Sequence, residues 1–158
     1  MSLIKNSPSW VSDEHKMFAD TTRKLFEAEM APNVEKWAEQ GIVDREFWTT
    51  VGQQGVMGGS IAEEYGGFGG GVAFDAITIY EQGRVGDSGW GYGIQSIVIH
   101  YLNAYGSEDQ KKKWLPKLIS GESVAAIAMT EPGTGSDLQN VQTYAEQDGN
   151  HYKINGSK

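Results

Sequence analysis

The sequence predicts a mostly α-helical domain running into the first strands of an antiparallel β domain. Three observations predict it. Apolar residues recur at helical spacing from about residue 10 to about residue 120. Capping residues bracket those stretches. From about residue 123 the pattern changes to short apolar or alternating runs with an Asp-Gly turn signal.

Ser12, followed by Asp13 and Glu14, reads as an N-cap with first-turn acids that suit the helix dipole. Met17, Phe18, Thr21, Thr22, Leu25 and Phe26 then form the expected inward stripe. Pro32 is expected to end or kink this helix near Met30. Val34, Trp37 and Ala38 resume an apolar face, and Gly41 stops it. Asp44 to Gln54 fits a helix with Phe47, Trp48 and Val51 inward and Gly55 behind it. After the glycine-dense stretch from Gly55 to Gly71, helical patterning returns at Val72 to Arg84 and again at Trp90 to Tyr105. Ser107-Glu108-Asp109-Gln110 fits a capping box for a short helix through Trp114. Pro116 suits the first turn of one more short helix, which Gly121 ends. Val124 to Met129, Val141 to Glu146 and His151 to Ile154 are strand-like, the last two joined across Asp148-Gly149. Three short strands with an open edge make neither a barrel nor a protected sheet. A truncated chain is therefore expected, with domains at 1–122 and 123–158.

The chain has 158 residues and a formal net charge of −8. That balance disfavours a general phosphate-backbone binder. It has no cysteine, which excludes disulfides, thiolate metal sites and a cysteine nucleophile. His15, His100 and His151 lie too far apart in sequence for a local metal motif. No apolar run is long enough to span a membrane, and no secretion signal is legible. An intracellular, reducing setting is expected. The glycines at Gly66 to Gly71 fit no phosphate-loop register and read as a tight connection. Lys111-Lys112-Lys113 reads as a solvated helix face.

One segment carries chemistry: Ala128-Met129-Thr130-Glu131-Pro132-Gly133-Thr134-Gly135-Ser136-Asp137. An apolar run enters a loop of glycines, hydroxyls and carboxylates. Glycines let backbone N–H groups approach a ligand, and hydroxyls can donate to ring nitrogens or phosphates. A ligand-contacting loop and a plain structural turn both fit that pattern. Spacing gives no reason to pair Glu131 with Asp137 as acid and base, and Pro132 points to Glu131 being held in a turn.

The segment resembles the signature of the acyl-CoA dehydrogenase family. Glu63-Glu64-Tyr65-Gly66-Gly67, the run from Tyr105 through Leu118 with Gly121-Glu122, and His151 to Lys158 resemble family stretches in the same order. The resemblance covers about residues 11 to 158. It departs at Ala62, where many members carry proline and which fits a long-chain-like branch loosely, and at Asn140, usually a small residue, where a side chain is expected to intrude.

The resemblance implies an N-terminal helical domain, the opening strands of a middle β-barrel domain, and a C-terminal helical bundle absent from this chain. It implies FAD, held around Ile127, Met129, Thr130, Gly135 and Ser136, with Ser136 also near the substrate's pantetheine arm. Gln95, Ser96 and Ile99 become weak candidates for the acyl wall. The implied reaction removes a proton from Cα and delivers hydride from Cβ to flavin N5, giving a trans-2-enoyl-CoA. The base would lie in the C-terminal domain, so the 158 residues alone are expected to be inactive. An acyl-CoA substrate, electron-transfer flavoprotein and a homotetramer are the implied partners. A bacterial cytoplasm, or a mitochondrial matrix, is the implied compartment. A free-standing, non-catalytic helical binding domain of the same fold is the alternative.

Overall fold

The structure is a computed structural model describing residues 9–158. The first eight residues of the expected helical domain lie outside those described. The chain forms two compact units, the first ending at Ala125 and the second spanning Ala126–Lys158.

The first unit is helical. Helix α1 (Asp13–Leu25) opens on a capping box. Ser12 Oγ accepts from the His15 amide at 3.3 Å, and His15 Nδ1 accepts from the Ser12 amide at 3.0 Å. Its inward stripe is Phe18, Ala19, Thr22 and Phe26, so Met17 and Thr21 face solvent rather than the core. The predicted stripe took every apolar or β-branched residue near the right spacing; packing against α4 selects one face of them. The chain then widens into a π turn (Phe26–Met30) and tightens into a 3₁₀ turn containing Pro32 (Ala31–Asn33). Proline cannot donate to the ladder, and the Asn33 side-chain amide caps the Glu29 carbonyl at 2.8 Å.

Helices α2 (Val34–Gln40), α3 (Arg45–Gln53), α4 (Val72–Arg84) and α5 (Tyr92–Tyr105) follow close to their predicted limits. Helix α6 (Glu108–Ile119) differs from expectation. It is one helix with Pro116 inside it, not two short ones. An interior proline costs roughly 3 kcal/mol. Leu115, Leu118 and Ile119 are all buried on the same helix, and each buried aliphatic side chain contributes about 1.5–3 kcal/mol. Burial therefore outweighs the break.

Two apolar clusters hold this unit. In the larger, Trp90 meets Phe26, Phe47 and Trp48 with centroids 5.4–5.6 Å apart and stacks on Tyr92 at 5.0 Å. The second joins Ile61, Tyr65 and Ile99 to α6. The end of α6 lies directly on α3. Gly121 has φ +74, and a Cβ there would fall 2.0 Å from the Trp48 carbonyl oxygen.

Residues 124–130, which run from the end of the first unit into the second, form no strand, because no neighbouring strand pairs with them among the described residues. Strands β1 (Tyr144–Asp148) and β2 (His151–Asn155) make an antiparallel hairpin in which Asp148 pairs with His151. The loop is thus Gly149-Asn150, with Gly149 at φ +62. A positive φ at the first central position alone is a type II′ turn. Asp148 belongs to the strand rather than the turn.

Gly121→Ala should cost more than about 3 kcal/mol, combining left-handed strain with a backbone collision. Gly55→Ala, at φ +68 with nothing within 4 Å of the added carbon, should cost only about 1–2 kcal/mol. Urea unfolding of the two variants checks the difference.

Candidate functional site

The signature segment lies wholly in the second unit. Ile127 to Thr130 run extended into a tight turn. Glu131 N donates to Thr134 O at 2.9 Å, and Thr134 N to Glu131 O at 3.0 Å. Pro132 and Gly133 occupy the corner, where Pro supplies the φ that the first turn position needs. The Thr134 hydroxyl is buried and donates to the Asn140 carbonyl at 3.0 Å. Asn140 itself is exposed at the end of a 3₁₀ turn.

Glu131 organises this turn. Its carboxylate is 6% exposed and accepts from the Gln142 amide at 2.8 Å and the Thr143 amide at 2.9 Å. Lys158 Nζ pairs with it at 3.0 Å and also donates to the Met129 carbonyl at 3.0 Å. The neighbouring Thr143 hydroxyl, the Gln142 and Thr143 amides and the Lys158 ammonium hold the carboxyl at about 2, well below its ordinary 4.5. Thr143 Oγ1 is buried but completes no hydrogen bond of ordinary geometry, so the fixed partners of the Glu131 carboxylate are the two amides and Lys158. A carboxylate so held is a poor proton acceptor near neutrality.

The predicted contact residues lie on the accessible side of this frame. Thr130, Gly135 and Ser136 are exposed, and Ile127 and Met129 are partly buried. Among the described residues, the N–H groups of Ile127, Met129 and Thr130 make no hydrogen bond, nor do the Thr130 and Ser136 hydroxyls. Gly133 and Gly135 have no positive φ, and a Cβ on either would touch nothing. Neither glycine is required by this chain's own backbone or packing. The loop therefore offers a row of donors beside open space, which suits a ligand rich in acceptor atoms. An open pocket of about 350 Å³ lies behind the turn, between Pro132 and Gly156.

The α5 candidates fall differently. Gln95 is fully buried; its amide nitrogen donates to the Leu118 and Ser123 carbonyls at 2.9 and 3.0 Å, and its oxygen accepts from Ala125 N at 2.7 Å. Ile99 lies in the second apolar cluster. Ser96 alone lines the open apolar groove of about 630 Å³ between α4 and α5, beside Ile94, Ile97, Val72 and Ile79. A polar cluster adjoins that groove. Asp75 is buried and accepts from Tyr92 at 2.5 Å and Ser60 at 2.7 Å, with His100 Nε2 at 3.0 Å. Burial and the Asp75 charge push the Tyr92 hydroxyl far above its ordinary range. Ser60 donates its proton to Asp75, so the Ser-His-Asp grouping is not a nucleophile relay.

Lys158 and the Ser60–Asp75–His100 cluster are not legible from sequence. Lys158 lies 27 residues beyond Glu131, and no spacing rule links them. Among the described residues, no helix is long and apolar enough to cross a membrane, and no group of three or more His, Asp or Glu is placed to hold a metal ion.

The helical unit and the turn-plus-hairpin match two family descriptions. Residues 12–122 match "Acyl-CoA dehydrogenase, N-terminal domain", and residues 126–158 match "Acyl-CoA dehydrogenase, middle domain". The chain belongs to the acyl-CoA dehydrogenase family. It is 45% identical over 148 residues to the mitochondrial long-chain specific acyl-CoA dehydrogenase of Sus scrofa, covering 93% of this chain and 34% of that protein. The crystal structure of acyl-CoA dehydrogenase from Geobacillus kaustophilus superposes with a TM-score of 0.88 and 41% identity, over 95% of this chain and 40% of that one. A Mycobacterium smegmatis glutaryl-CoA dehydrogenase in complex with FADH2 gives 0.84 and 30%, over 92% and 38%. The chain thus spans well under half the length of these relatives.

Two outcomes are expected. Because the folded carboxyl of Glu131 titrates below its unfolded value, its stabilisation is complete above pH 4.5 and is lost as pH falls through about 2. The Gln142 and Thr143 amide resonances should therefore collapse over that window, and Glu131→Gln should abolish the transition. Gln95→Leu leaves the Ser123 carbonyl and the Ala125 N–H without their partner and the Leu118 carbonyl with backbone donors only, and should destabilise the protein by at least about 2 kcal/mol in urea unfolding.

Proposed function

We propose that this chain supplies the N-terminal helical domain (1–122) and the opening strands of the middle β domain (123–158) of an FAD-dependent acyl-CoA dehydrogenase that converts acyl-CoA to trans-2-enoyl-CoA. The observation that carries this reading is the donor row of the signature loop: Ile127, Met129 and Thr130 N–H groups and the Thr130 and Ser136 hydroxyls, all without partners among the described residues. Such donors fit the acceptor-rich pyrimidine edge and pyrophosphate of a flavin dinucleotide, and FADH2 is named in the related M. smegmatis structure.

The flavin, when bound, supplies the acceptor for hydride leaving Cβ. Thr130 and the Met129–Thr130 peptide hold the ring edge and favour negative charge there. Ser136 and Gly135 face the phosphate or pantetheine side, where a side chain at residue 135 would hinder approach. The apolar groove between α4 and α5, with Ser96 on its wall, offers room for an acyl chain. Gln95 and Ile99 shape that wall from behind, because both are buried.

Neither buried carboxylate near these surfaces is set up to take the Cα proton. Glu131 is tied to two amides and an ammonium, and Asp75 to two hydroxyls and His100. The base is assigned to the C-terminal helical domain of the whole enzyme, and electrons pass on to electron-transfer flavoprotein from a homotetramer.

The visible spectrum tests the reading. The whole enzyme should be yellow and bleach on addition of an acyl-CoA. Thr130→Val should weaken flavin binding about fivefold, the worth of one modest hydrogen bond. The 158 residues alone should show no turnover with an acyl-CoA and an artificial electron acceptor. A colourless protein that FAD does not stabilise would instead support a non-catalytic binding domain of the same fold.

A further inference from the structure

The Lys158 ammonium touches two groups: the Glu131 carboxylate at 3.0 Å and the Met129 carbonyl oxygen at 3.0 Å. Its side chain is 28% exposed against 6% for Glu131. An ion pair at a surface contributes little to stability by itself. Here the second contact matters more. The Met129 carbonyl and the Thr130 N–H belong to one planar trans peptide and point in opposite directions. A cation fixed on the oxygen holds that plane still and aims the Thr130 N–H away from Lys158. It also draws electron density toward the oxygen, and a hydrogen bond at one end of a polar chain strengthens the donor at the other.

Glu131 fixes where the charge sits. Its own oxygens are held by the Gln142 and Thr143 amides, so the ammonium is anchored to the frame of the turn.

We propose that Lys158 is a positioning residue whose ammonium orients and polarises the Met129–Thr130 peptide, making the Thr130 N–H a stronger donor to reduced, more negative flavin than to oxidised flavin. The proposal rests on the flavin reading of the loop. It assigns Lys158 no contact with the substrate and no proton transfer.

Lys158→Met and Lys158→Arg test it with two readouts. The first is the Thr130 amide resonance in the flavin-free protein. Lys158→Met should move it upfield and slow its base-catalysed hydrogen exchange, because the N–H is then less acidic, and Lys158→Arg should largely restore both. The second is the ratio of reduced to oxidised flavin affinity, read from the potential of the flavin-loaded protein. That ratio should fall about fivefold in Lys158→Met, the difference between a charge-assisted and a neutral hydrogen bond, and recover in Lys158→Arg. An unmoved Thr130 resonance overturns the proposal. So does equal weakening of both flavin states, which is what a purely structural role would give. If the unmutated protein binds no flavin, the functional reading fails, and this one with it. If it binds flavin and only the ratio stays unchanged, this proposal alone fails.

Discussion

Backbone groups that leave helices and strands must still find hydrogen-bond partners, and two buried side chains meet that demand. In the helical unit, the Gln95 amide meets the Leu118 carbonyl in the last turn of α6 and the Ser123 carbonyl and Ala125 N–H in the segment after it. In the second unit, the Glu131 carboxylate closes two amides that precede β1. Both segments are irregular, and each is tied down by a side chain that is itself buried. A neutral amide suits the first place because it can donate and accept at once. A carboxylate suits the second because amides and an ammonium surround it, and an acceptor-only group is what they need.

The helical unit rests on close approach as much as on apolar burial. Trp90 joins four aromatic partners, and such pairs add about 0.5–1.5 kcal/mol each beyond area burial. The backbone contact at Gly121 brings the end of α6 onto α3. Helix α5 serves two surfaces. Tyr92, Gln95 and Ile99 face inward, and Ile94, Ile97 and Tyr101 remain exposed. An apolar groove beside a packed core is the arrangement that small-molecule sites favour.

The loop divides its residues by role. Glu131 and Thr134 are buried and shape the turn, whereas Thr130 and Ser136 are exposed with uncommitted hydroxyls. The glycines make the same point. Gly121 is demanded by the chain's own packing, but Gly133 and Gly135 are demanded by nothing inside the chain.

The sequence by itself determined the helical elements, most of their caps and the change to strands, because periodicity, N-cap hydroxyls and stop glycines act within a few residues of one another. It also singled out the segment from Ala128 to Asp137 and its hydroxyls. Tertiary structure decided what depends on distant partners. Pro116 stays inside α6 because Leu115, Leu118 and Ile119 bury together. Met17 turns outward because α4 selects a different face of α1. Residues 124–130 find no pairing strand among the described residues, and a strand exists only when another strand meets it. Gln95, a candidate for the acyl wall by position, is a buried tie because Leu118, Ser123 and Ala125 converge on it. His100 and Lys158 find Asp75 and Glu131 across 25 and 27 residues, a separation at which local sequence carries no signal and only the folded backbone brings charge to charge.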